Sequence, residues 1–162
     1  MASLSDCFRE LNALKKEGVL AEYAIGGAMA MIFWAEPTVT FDLDVFVFLP
    51  GEEKLIVTLE PLYRTLRSKG FEPTAEHVLI HGTPVQFLVS FDPLSDEAIE
   101  SAANRELGGV PFRVMRPEHL AALWLRAGGA KRRERVELLL QANAVTREAI
   151  DAVLRRHPPQ EG

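Results

Sequence analysis

Asp42 and Asp44 stand two residues apart in a run, TVTFDLDVFVF over residues 38–48, that otherwise belongs inside a protein. On an extended strand side chains alternate faces, so Asp42, Asp44, Phe46 and Phe48 point one way while Phe41, Leu43, Val45, Val47 and Leu49 point the other. Residues two apart on a strand are about 7 Å apart at Cα, near enough for both carboxylates to lean onto one divalent ion. Left without a cation or hydrogen-bond donors, two such acids beside phenylalanines repel each other and suffer desolvation. Mg²⁺, a hard ion that takes oxygen ligands, supplies the compensation. The plainer alternative is a frayed strand end at which the pair sits in water and caps Thr38 or Thr40.

Upstream, Gly26-Gly27 breaks a short strand marked by Tyr23 and Ile25 before a largely apolar helix over residues 28–35. A glycine pair opening a helix offers unpaired N–H groups and room for close approach, which is how phosphates are cradled. Phosphates together with a carboxylate-held Mg²⁺ are the components of nucleotide chemistry.

The elements that must position these residues follow from periodicity. A helix over 5–17 carries Phe8, Leu11 and Leu14 on one side, and another over 52–69 carries Leu55, Leu59, Leu62 and Leu66, with acids in its first turn. The glycine pair leads through helix 28–35 and Glu36-Pro37 into a strand over 40–49. Segments 77–81 and 85–90 flank Gly82-Thr83-Pro84 as the arms of a hairpin; Ser95 caps a helix starting at Asp96, and 110–115 is a short strand. From Pro117 the chain reads helical in three pieces, near 117–127, 130–141 and 146–156. The organisation is one domain over 1–156, with a helical tail over 117–156 and a loose end at 157–162.

Composition fits a globular protein: 162 residues, 48% hydrophobic and 25% charged. No apolar run approaches the ~18 residues a membrane span needs, and the N-terminal MASLSDCFRE lacks a secretion-signal layout, so a cytoplasmic location and no membrane partner are expected. The single cysteine, Cys7, precludes an internal disulfide and fits a reducing compartment. The net charge of −5 argues against duplex DNA as a partner. Charge is uneven, however: Lys131-Arg-Arg-Glu-Arg135 is +3, leaving 14 basic and 22 acidic residues, net −8, elsewhere. Such a patch suits a compact polyanion such as a triphosphate, or is a solvated helix face.

Ile25-Gly26-Gly27, an apolar helix, and then Thr40-Phe-Asp-Leu-Asp-Val45 on a strand resemble the signature of the nucleotidyltransferase superfold, the DNA polymerase β-like one. The resemblance extends over Pro84-Val-Gln-Phe-Leu88, Glu97-Ala98 and Val114-Met-Arg-Pro-Glu-His-Leu120, and it is nearest to small nucleotidyltransferase-like proteins related to abortive-infection and toxin–antitoxin transferases. It implies an α+β fold: a mixed sheet of four or five strands, helices packed on one face, and a C-terminal helical segment. It also implies binding of a nucleoside triphosphate such as ATP with Mg²⁺, and transfer of a nucleotidyl group to an acceptor hydroxyl on RNA, a protein or a small molecule. In that reading Asp42 and Asp44 are catalytic and hold the metal, Gly26 and Gly27 face the phosphates, and Lys131 or Arg133 contacts the leaving pyrophosphate.

Two departures bear on turnover. Members of the superfold commonly add a third carboxylate on a later strand, and the matching position here is Gln86, which can orient a hydroxyl or water but cannot take a proton. The related tail often reads basic-x-Lys-Asp, whereas this chain has Gly129-Ala-Lys131-Arg132. The alternative is therefore a binding module on the same fold, with its basic helix engaging a partner protein or RNA. Glu97 is a second candidate for the missing carboxylate. His77, His81 and His119 read as surface or structural residues, and Trp34 and Trp124 as core.

Overall fold

In the computed structural model of the chain, residues 3–35, 42–51 and 58–159 are described. Helix α1 spans Leu4–Lys16. Ser3 caps it, its hydroxyl accepting from the Asp6 N–H while the Asp6 carboxylate accepts from the Ser3 N–H, and Cys7, Phe8, Leu11 and Leu14 form its buried stripe. Strand β1, Glu22–Gly26, leads directly into the one-turn helix α2, Gly27–Ala30, and a 3₁₀ turn, Met31–Phe33. The helix expected over 28–35 is thus shorter and tightens at its end. Strand β2 is Leu43–Phe48, with Asp42 immediately before it; Thr40 and Phe41, also expected on this strand, lie outside the described residues.

Helix α3, Glu60–Ser68, corrects the expectation of one helix from 52 to 69. Thr58 and Leu59 are not helical, and residues 52–57, with Leu55, lie outside the described part. The reason is Pro61: with no N–H to donate, it fits only the first turn of a helix, and it fixes the start at Glu60. The same chemistry moves the next helix. Strands β3, Val78–Ile80, and β4, Thr83–Val89, form the expected hairpin, and α4, Pro93–Glu100, then begins at Pro93. Asp92, not Ser95, is its cap, accepting from the Ser95 N–H at 2.8 Å.

Strand β5, Ala103–Leu107, is a sixth strand beyond the four or five expected; β6 is Val110–Val114. Helices α5, Pro117–Ala127, α6, Ala130–Gln141, and α7, Arg147–Arg156, complete the chain, α7 capped by Thr146. Among the described residues no helix is long and apolar enough to cross a membrane.

The six strands form one mixed sheet ordered β3-β4-β2-β1-β6-β5. β1 and β2 are antiparallel, while β2 runs parallel to β4 and β1 parallel to β6. On one face, α1 closes the core: Phe8 stacks on Phe112 of β6 at 4.2 Å, Phe33 packs at 4.7 Å from the same ring, and the Tyr23 hydroxyl donates to Asn12 Oδ1 at 2.7 Å. Cys7 is sealed beneath this layer, and burial pushes its thiol up to about 12. Arg113, on the other face by alternation from Phe112, donates to the Ile99 carbonyl at 2.7 Å and so ties α4 to the opposite side. α5 packs against α4, α6 and α7 to complete that second layer.

A carboxylate fastens this second layer. Glu97 of α4 accepts from Arg156 Nε and Nη2 at 3.0 and 2.8 Å and lies 2.7 Å from His119 Nε2 on α5 and 3.2 Å from His157 Nε2. Arg126 also donates to the His157 carbonyl, so the segment expected to be loose begins with a tied residue. The Arg156 hydrogen bonds, with help from His119 and His157, hold the Glu97 carboxyl down at about 2. A carboxyl so depressed contributes stability that is complete above its ordinary range near 4.5 and disappears as pH falls toward 2. Glu97→Gln is expected to cost about 1–2 kcal/mol at pH 7, allowing for screening at the exposed Arg156. Thermal melts in a pH series will show the gap to wild type at pH 7 and its closure between about pH 4.5 and 2.

Candidate functional site

Asp44 is the second residue of β2 and pairs with Gly26 at the last rung of the β1–β2 ladder. Burial alternates along β2, with Leu43, Val45 and Val47 sealed in the core and Asp44, Phe46 and Phe48 on the half-open face, as the sequence pattern requires. Where β1 ends, the chain folds back over this face. A Cβ on Gly26 would come within 2.7 Å of the Phe46 ring and 3.1 Å of Met115 Sδ. A Cβ on Gly27, whose φ is +63°, would come within 2.9 Å of the Asp44 carboxyl carbon and closer still to its oxygen. Only glycine lets the backbone lie directly against that carboxylate.

The row continues across the sheet. Gln86 pairs with Asp44 in the parallel β2–β4 ladder, so the two side chains share a face. Val78 pairs with Val85 in the antiparallel β3–β4 ladder, and one further step in that register sets His77 beside Gln86. Its imidazole reaches back over the site, with Nε2 3.6 Å from Asp42 Oδ2. Gln86, Asp44 and Gly26 thus form one line across β4, β2 and β1, and His77, just before β3, lies at its end. Asp42, just outside β2, is 56% exposed at its side chain, whereas Asp44 is half-buried.

Electrostatics set Asp44 apart. Burial pushes its carboxyl above the ordinary range, and the Asp42 charge adds to that; His77 and Arg135 pull the other way. A partly desolvated carboxylate with a second acid beside it, under a glycine turn with no side chain to fill the space, fits a bound divalent cation. Asp42 and Asp44 have the right donor chemistry for Mg²⁺. Among the described residues no three His, Cys, Asp or Glu side chains already stand gathered as a metal centre.

The C-terminal layer brings positive charge toward Asp44 through Arg135, a residue the sequence reading does not single out. Arg135 of α6 lies over the Trp124 ring, 5.7 Å from its centre, within electrostatic range of Asp44. Lys131 is one helical turn earlier and shares that side of α6. Arg133 instead lines a cleft of about 240 Å³ with Val136, Arg147, Ile150 and Asp151. Arg132 turns back toward the Gly128 carbonyl at 3.3 Å. Glu97 is occupied in the α4–α7 junction and does not replace the missing carboxylate. Trp34 is held by its indole N–H to the Met115 carbonyl at 2.8 Å, with Arg105 over its ring, and Trp124 is buried.

His77 and Arg135 are the site residues that the sequence reading passes over. The signal for His77 lies in the turn: His81 and Gly82 have φ of +49° and +82°, the two-residue hairpin form in which 80 pairs with 83 and, by extension, 77 with 86. Centring the turn on Gly82-Thr83-Pro84 shifts that register and hides the juxtaposition. Arg135 is legible only as four residues, one turn, from Lys131.

No protein-family model matches the chain, and no curated protein matches it in sequence. Solved structures do match in three dimensions. A nucleotidyltransferase-like protein from Paracoccidioides brasiliensis superposes with a TM-score of 0.60 at 17% identity, over 96% of this chain and 87% of that one. The antibiotic-resistance factor ANT(2″)-Ia in solution superposes with a TM-score of 0.56 at 17% identity, over 96% and 92% of the two chains. The crystal structure of ANT(2″)-Ia with adenylyl-2″-tobramycin gives 0.56 at 18% identity, over 94% and 95%. With a six-stranded mixed sheet, the glycine turn closing over a strand-borne aspartate and a helical C-terminal layer, this chain has the nucleotidyltransferase-like fold.

Proposed function

We propose that the chain binds a nucleoside triphosphate across the Gly27–Asp44 contact and transfers its nucleotidyl group to an acceptor hydroxyl. The observation that carries this reading is the absence of room for any side chain between the residue 27 backbone and the Asp44 carboxylate. A turn that close is suited to placing phosphates beside a metal-binding acid. The similarity to ANT(2″)-Ia, which has been solved with an adenylylated product, supports the reaction class.

Asp42 and Asp44 would hold Mg²⁺, which when bound would neutralise charge developing on the α-phosphate. The other roles belong to the chain itself. The Gly26-Gly27 backbone orients the phosphates, and Arg135, with Lys131 beside it, faces the negative charge of the departing pyrophosphate. Gln86 hydrogen-bonds the acceptor hydroxyl and fixes its approach, but leaves the proton to water or to the substrate pair. The acceptor itself, on RNA, a protein or a small molecule, is the open variable of this reading. A second reading, a binding module that has lost turnover, draws on Gln86 and on the exposed basic residues Lys131, Arg132 and Arg133.

Calorimetric titration with each of the four nucleoside triphosphates in Mg²⁺ tests the proposal. Wild type is expected to bind at least one, and Asp42→Asn/Asp44→Asn to lose roughly tenfold or more. Equal, negligible heats from both proteins would refute the assignment.

Arg135→Ala is expected to weaken triphosphate binding several-fold, by roughly 1 kcal/mol, whereas Arg133→Ala should leave it within twofold. The same titrations, run with the nucleoside monophosphate as control, separate a pyrophosphate contact from a loss of folding. Gln86→Glu adds a third carboxylate to the row and is expected to raise Mg²⁺ affinity by roughly tenfold. An unchanged Mg²⁺ affinity would mean that residue 86 does not face the ion.

A further inference from the structure

Of the basic residues between Lys131 and Arg135, the first three are exposed and Arg135 alone is half-buried. A guanidinium withdrawn from water ordinarily spends its N–H groups on carboxylates or carbonyls, as Arg156 does on Glu97 and Arg113 on the Ile99 carbonyl. Among the described residues the Arg135 side chain makes no hydrogen bond or ion pair; what holds it is the Trp124 ring, whose centre is 5.7 Å from the guanidinium carbon. We propose that Trp124 is a positioning residue for the outer phosphates of a bound triphosphate: its indole face carries the Arg135 guanidinium and leaves the N–H donors of that group for the pyrophosphate oxygens. The proposal rests on the pyrophosphate contact given to Arg135 in the functional reading.

Three observations support it. First, guanidinium donors lie in the plane of the group and a ring attracts its face, so an aromatic support restrains the cation without consuming donors. A carboxylate in the same place would take the donors and neutralise the charge that a phosphate needs. Second, the support is itself fixed. Trp124 is 6% exposed and belongs to the main core, and its helix α5 packs on α4, α6 and α7. Gly128 and Gly129, with φ of +78° and +100°, turn the chain from α5 into α6 and bring Arg135 back to the ring. Third, the cation is directed to the site, because its charge favours the ionised form of Asp44. A second pair of this kind, Arg105 over Trp34 at 4.5 Å, supplies a control. Arg105 pairs directly with Phe112, whose ring stacks on Phe8, so that pair is on the α1 face, opposite Asp44.

Calorimetric titration of the full chain with inorganic pyrophosphate in Mg²⁺ tests the assignment. Trp124→Leu, which removes the π face, is expected to weaken pyrophosphate about three- to fivefold, while Trp124→Phe, which keeps a ring, stays within about twofold of wild type. In an Arg135→Ala background the Trp124→Leu effect should vanish, and nucleoside monophosphate affinity should be unchanged in Trp124→Leu. Arg105→Ala is expected to leave pyrophosphate affinity unaltered. A measurement without any change at residue 124 guards against misfolding: pyrophosphate should shift the tryptophan emission of wild type, and the shift should be absent from Arg135→Ala at equal saturation.

Equal losses of pyrophosphate and monophosphate in Trp124→Leu, persistence of the loss without Arg135, or a wild-type emission that ignores bound pyrophosphate would each overturn the positioning role while leaving nucleotide binding at Asp44 intact. Failure of wild type to bind pyrophosphate would also overturn it; the triphosphate calorimetry judges the broader functional reading separately.

Discussion

The site depends on how closely two backbones approach at the end of the β1–β2 ladder. Antiparallel pairing carries Gly26 to Asp44, and the turn that follows is held against the carboxylate because residue 27 has no side chain. Every other site feature is referred to this contact. It half-buries Asp44 and sets the direction of α2. It also leaves the row open toward Gln86 and His77 on one side and toward α6 on the other. The closeness has a cost, seen in the raised pKa of Asp44, and a ligand or ion that interacts with the ionised form would offset it.

The site is assembled from two layers that fold by different rules. Gly26, Asp44 and Gln86 come from the sheet, where ladder register fixes position, and Gly27, Asp42 and His77 directly flank its strands. Arg135 comes from α6, which packs on α5, whose Trp124 lies under its guanidinium. Glu97, on the far side of α5, binds both α5 and the end of α7, so the geometry between acid and base depends in part on a carboxylate that is itself remote from the chemistry.

Much of this was legible in the residues. Strict alternation along 42–48 gave the face of Asp44, and the three C-terminal helices fall where their periodicity put them. What was hidden was hidden for definable reasons. Pro61 and Pro93 set helix starts more strongly than the leucine stripe or the Ser95 hydroxyl, because an absent N–H is an absolute constraint and a periodic pattern is not. β5 reads as a loop because Asn104, Arg105 and Glu106 are exposed at the edge of the sheet and leave no apolar alternation, although Gly108-Gly109 between it and β6 is a hairpin signal. The alignment of His77 with Asp44 requires two successive registers, and a one-residue change at the His81-Gly82 turn erases it from any reading of the sequence.

The sealed position of Cys7 has a further consequence. Burial pushes the thiol far above its ordinary range and the α1 layer shields its sulfur, so in the closed molecule it is inert to alkylating reagents. It is also the single cysteine in the sequence. Any slow labelling therefore counts openings of α1 away from β1 and β6, the strand pair that carries the chain to Gly26. The molecule thus has a built-in clock for breathing of its core, readable by mass and set on the face of the sheet opposite Asp44.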